Sequence, residues 1–153
     1  MTKPITRWIL AATAGLALSA TAIASTTQVP HRSGGASVEE FAELRGLASD
    51  HNLKLVLAAR GSGAYLADVE VTVRSMPTRE VVLEHRTNGP LLLATLQPGR
   101  YEVTATFAQV QPGAPDTITR VIEVPRSGLA RSVMYFDTGD TVAAESPQAF
   151  RLN

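Results

Sequence analysis

From residue 53 to residue 136, apolar side chains recur at every second position in short runs. Val69, Val71 and Val73 alternate with Glu70, Thr72 and Arg74, which is the signature of a strand with one buried face. Runs of the same kind occupy 53–58, 81–86, 101–107, 118–124 and 131–136, and an apolar run interrupted by Thr95 alone fills 91–96. Between them stand Gly61-Ser62-Gly63, Met76-Pro77-Thr78 and Asn88-Gly89-Pro90, residues that turn a chain. The pattern predicts seven strands with no helix between them. Parallel neighbours need long crossovers, for which there is no room, so the strands are expected to be antiparallel. Two stacked sheets bury seven half-apolar strands well; a closed barrel is the rival arrangement.

Ahead of the strands the period changes. Ser37-Val38-Glu39-Glu40 reads as a capping box, and Val38, Phe41, Leu44 and Ala48 follow at helical spacing. A short amphipathic helix is predicted over 37–49, weakened by Gly46. Residues 25–36 (STTQVPHRSGGA) are polar and glycine-rich and read as a flexible lead-in.

In Gln97-Pro98-Gly99-Arg100, proline presets the second position of a turn, and Gly99 supplies the positive φ of a type II turn. The run after it points Tyr101, Val103, Ala105 and Phe107 inward. Pro98, Gly99 and Tyr101 are therefore expected to build a structural corner, the tyrosine sending its hydroxyl to nearby backbone.

The N-terminus adds compartment. Lys3 and Arg7 precede a short apolar stretch, 8–18, and Ala22-Ile23-Ala24 offers a small-x-small cleavage site. Residues 1–24 are read as a signal peptide, too short in its apolar part to span a bilayer. Cleavage leaves 129 residues with 12 basic and 14 acidic side chains, a net charge of −2. The mature chain keeps one lysine, Lys54, and the protein has no cysteine. A near-neutral chain lacks the cationic footprint that nucleic acid requires. The expected product is periplasmic or secreted, with no transmembrane segment after cleavage.

The motif Thr87-Asn88-Gly89-Pro90-Leu91-Leu92-Leu93-Ala94, followed by Leu96-x-Pro98-Gly99-x-Tyr101-x-Val103, resembles the carboxypeptidase regulatory-like domain. His51-Asn52-Leu53-Lys54-Leu55 and Tyr65-Leu66-Ala67-Asp68-Val69 extend the likeness over roughly 50–137. The resemblance implies an all-β, seven-stranded antiparallel β-sandwich of the transthyretin-like group in an exported bacterial protein. It also implies a non-catalytic domain used for support or interaction. With the short helix before it and a C-terminal tail, 138–153, this completes the expected organisation.

Motifs of catalysis are sparse. Asp137-Thr138-Gly139 has the triplet of aspartic proteases but follows the last strand, so it reads as a polar turn. His31, His51 and His85 show no metal-ligand spacing; each is expected to be a surface or partly packed ring, with convergence of two of them in space left open by the sequence. Arg60-Gly61-Ser62-Gly63 lacks the helix and lysine of a phosphate loop. The C-terminal Phe150-Arg151-Leu152-Asn153 departs from the Tyr-Arg-Gly-Ser of the transthyretin-like hydrolase. No catalytic, cofactor or metal residue is assigned. Recognition is expected in two loops, 60–66 with Tyr65 and 109–116 with Val110 and Pro112, facing an envelope protein or polymer. The alternatives are a hydrolase of the group just named and a carrier of a small apolar ligand.

Overall fold

The computed structural model describes residues 28–108 and 115–139. The signal peptide, the start of the lead-in, Val110, Pro112 and the tail from 140 onward lie outside the described residues. Among the described residues the chain is mostly β, with two sheets and one short α-helix. Its strands are β1 (His31–Gly34), β2 (Leu53–Ala59), β3 (Val69–Ser75), β4 (Val81–Arg86), β5 (Leu91–Ala94), β6 (Gly99–Phe107), β7 (Asp116–Val124) and β8 (Ala130–Phe136). One sheet runs β1-β5-β2-β8 and the other β4-β3-β6-β7.

Period-two patterning places the core. Leu53, Leu55 and Leu57 of β2, Leu92 of β5, and Met134 and Phe136 of β8 come from one sheet. Val69, Val71 and Val73 of β3, Leu83 of β4, and Tyr101, Val103 and Ala105 of β6 come from the other and join them in one cluster. Phe107 and Phe136 meet across the sheets with ring centroids 6.1 Å apart. On the far side of β6 the alternation exposes threonines, and Thr104–Thr119 and Thr106–Thr117 form a hydroxyl ladder to β7 at 3.2 and 3.0 Å.

Two features of the strand pairing differ from the sequence expectation. The supposed lead-in contains β1, which pairs antiparallel with β5 from His31↔Ala94 to Gly34↔Leu91. Its four residues have little strand propensity; their order comes from the backbone edge of β5. Secondly, β2 and β8 pair in parallel, from Leu53↔Ala130 to Ala59↔Phe136. The crossover argument holds for consecutive strands, whereas here most of the domain is the connection.

The helix α1 (Val38–Gly46) begins as its capping residues dictate. Ser37 Oγ accepts from the Glu40 amide at 3.2 Å, while the Glu40 carboxylate accepts from the Ala36 amide at 3.0 Å. A 3₁₀ turn, Leu47–Asp50, continues it. Phe41, Leu44, Leu47 and Ala48 pack on Leu91, Leu93 and Val56, the outer face of the first sheet. That explains why β5 is apolar at every position: one face meets the core and the other meets α1. Asn52 then ties the end of β5, its side chain accepting from the Leu96 amide at 2.8 Å and donating to the Leu96 carbonyl at 2.6 Å.

The link from β5 to β6 carries the chain from one sheet to the other. Pro98 sits in a bend and Gly99 already opens β6 at φ +157°, whereas the type II turn read from the sequence needs φ near +80°. Tyr101 is buried, and its hydroxyl donates to the Gln97 carbonyl at 2.7 Å.

Candidate functional site

The turn after β2 is closed by its own polar atoms. The Gly63 amide donates to the Ala59 carbonyl at 3.1 Å and the Ala64 amide to Ser62 Oγ at 3.2 Å. Gly61 and Gly63 take positive φ, of 89° and 70°, as that turn requires. Those amides are therefore spent internally and do not form a phosphate cradle. The turn delivers Tyr65, which bridges to Ala58 of β2 and stays 60% exposed.

Tyr65 does not stand alone. Its ring stacks on Phe41 of α1, with centroids 5.2 Å apart and planes at 26°. Beside them Val38, in the first turn of α1, is 82% exposed. Gly35, Ala36, Ser37, Val38, Phe41 and Tyr65 line an open, mainly apolar cleft of about 220 Å³. Each wall has a cause: the capping box fixes the start of α1, Leu44 and Leu47 anchor it on the sheet, and the glycine turn presents the tyrosine. On the same sheet, β8 leaves Val133 and Tyr135 outward beside Val56 and Ala58 of β2. An apolar side chain fits the cleft; nothing lining it is a nucleophile paired with a base. Of the three residues expected in binding loops, only Tyr65 lies among the described residues.

The corner residues belong elsewhere. Pro98 and Gly99 line a wide hollow of about 670 Å³ with Glu123, Val124, Pro125 and Arg126. Tyr101 faces the core, and burial raises its hydroxyl pKa above the usual tyrosine value.

A second cluster was not foreseen. His31 and His85, which no spacing in the sequence links, face each other with ring centroids 4.7 Å apart. They meet because β1 and β4 are edge strands of different sheets on the same side of the domain, also joined by the Val29 amide donating to the Val82 carbonyl at 3.2 Å. Ser33 Oγ lies 2.7 Å from His85 Nε2 and accepts from the Asn88 amide at 3.2 Å. His31 Nδ1 donates to the Val29 carbonyl at 2.9 Å. Burial first, then the neighbouring His31, lowers the His85 pKa below 6.5. A spacing of 54 residues carries no local signal, which is why sequence reasoning missed the pair. His51 stays apart from them and bonds Thr95 Oγ1 at 3.0 Å.

Asp137-Thr138-Gly139 follows the end of β8 as irregular chain. The Asp137 amide donates to an Asp116 carboxylate oxygen at 2.6 Å, and the Asp137 carboxylate accepts from the Gly139 amide at 3.3 Å. Among the described residues no group of three or more metal-ligating side chains is assembled, and no helix is long and apolar enough to cross a membrane. In comparisons with family models, curated proteins and solved structures, nothing matches the chain.

Proposed function

We propose that this chain is an exported, non-catalytic binding module of the bacterial cell envelope. In this reading its two sheets form a β-sandwich of the transthyretin-like, carboxypeptidase regulatory-like kind, with β1 added at an edge. The signal-peptide pattern supports export, and the Leu96-x-Pro98-Gly99-x-Tyr101-x-Val103 corner supports the fold group. The observation that carries the function is the cleft of Val38, Phe41 and Tyr65. Solvent-facing aromatic and branched side chains around a hollow are costly in water unless a partner covers them. A stacked tyrosine offers contact area at little entropic cost. The partner's chemistry is an apolar side chain on an envelope protein or polymer.

Immobilised protein incubated with envelope extract tests the module. Retention of a partner is expected from the native chain and loss of it from Tyr65→Ser and Val38→Asp, both of which alter exposed positions. Equal retention by all three would refute the cleft as the binding surface. N-terminal sequencing of the envelope-borne protein tests export, with Ser25 expected as the first residue.

A further inference from the structure

We propose that the hollow between the C-terminal end of α1 and the start of β8 is a binding site for a phosphate monoester group. It lies apart from the Tyr65 cleft and does not rest on that reading. Arg45, Ser49, His51, Gly128 and Arg131 line it, and its volume is about 440 Å³.

The register gathers the charges. Lys54 of β2 and Arg131 of β8 are direct partners in the parallel pair, so both side chains leave the same outer face. Arg45, in the last turn of the helix that packs on this face, lines the same hollow as Arg131. Like charges placed side by side on neighbouring strands repel and destabilise a sheet. Here Lys54 and Arg131 do so, with the field of Arg45 added from the helix, and no carboxylate pairs with any of them: among the described residues the side-chain ion pairs are Arg79–Glu102 and Arg86–Asp68. Lys54 is half-buried, and after burial itself the fields of Arg45 and Arg131 lower its pKa. The neighbouring acid is Asp50, whose field reaches His51 and opposes that of Arg32 there.

Arg45 at that end also complements the negative pole of α1, which accounts for one cation and not for the other two. An anion between the three relieves the repulsion on all of them. The two guanidinium groups that line the hollow supply planar donor forks suited to a phosphoryl group, Ser49 adds a hydroxyl, and Lys54, outside the lining but paired with Arg131, adds its positive field. The hollow exceeds the volume of a bare phosphate and falls in the range of small-molecule pockets, so the phosphoryl group arrives on an organic carrier. A sugar phosphate and a phosphatidic acid headgroup share this chemistry.

The test is a ¹⁵N NMR titration of the purified chain with glucose 1-phosphate, alongside co-sedimentation with phosphatidylcholine vesicles containing phosphatidic acid. Sodium chloride at matched ionic strength is the control. Saturable shifts confined to Arg45, Ser49, His51, Lys54 and Arg131, or sedimentation with the acidic vesicles, are expected. Either should weaken at least about tenfold in Lys54→Gln and in Arg131→Gln and be unchanged in Tyr65→Ser. The arm that responds identifies the carrier. Absence of binding in both arms, or binding indifferent to both charge-removing substitutions, would overturn the proposal. Both substitutions are at outward-facing positions, and Arg45→Gln provides a third reading off the strands.

Discussion

His31 and His85 stand ring to ring, 4.7 Å apart, on strands of different sheets, with Ser33 bonded to the second of them. The sheets are thus joined at this side by a pair of imidazole rings. Burial and His31 lower the His85 pKa, and burial is also the first cause lowering that of His51. A histidine with a folded-state pKa below its unfolded value of 6.5 binds fewer protons when folded. Its contribution to stability is therefore complete above pH 6.5, falls as the unfolded chain protonates, and is lost below the folded value. Urea midpoints should decrease from pH 8 to pH 5.5, and His85→Gln should flatten that slope. A midpoint that rises on acidification over this window would contradict the geometry.

The bond from the Tyr101 hydroxyl to the Gln97 carbonyl closes the passage between sheets. Tyr101→Phe removes one hydrogen bond and should cost about 1 kcal/mol. Tyr101→Ala also empties core volume and should cost roughly 3–5 kcal/mol. Equilibrium urea unfolding of the two variants gives both numbers, and the alanine variant must be the weaker one.

Two glycines should respond with opposite signs. A Cβ on Gly89 would overlap the backbone of Gly34, so Gly89→Ala must push β1 from its place and destabilise by about 1–3 kcal/mol. Gly46 ends α1 with open space around it and ordinary helical φ, so Gly46→Ala should stabilise by about 0.4–1 kcal/mol. Thermal melts read both directions in one series.

Much of this architecture is written in local pattern, and the remainder depends on what lies across space. Tyr101, Val103, Ala105 and Phe107 could be placed inward because alternation alone sets a strand's faces. Ser37 could be placed as a cap because its partner, Glu40, is three residues away. By contrast His31-Arg32-Ser33-Gly34 has no strand pattern, and its order comes from β5, sixty residues later in the chain. Pairing of β2 with β8 is equally invisible, since the partners are separated by nearly the whole domain. The cleft was half legible: Tyr65 stands out after a glycine turn, but its stacking on Phe41 depends on where α1 lies. The Lys54–Arg131 juxtaposition follows from the same parallel register and had no sequence signal of its own.

The central claim, that the Tyr65 cleft meets a partner, is tested most directly by a photo-crosslinking amino acid at position 65 in living cells. A second probe at Thr119, exposed on the outer face of the other sheet, serves as the reference. The cleft predicts a discrete adduct from position 65, lost when Val38→Asp is added, and none from position 119. No adduct at position 65, or the same adducts from both positions, would contradict it.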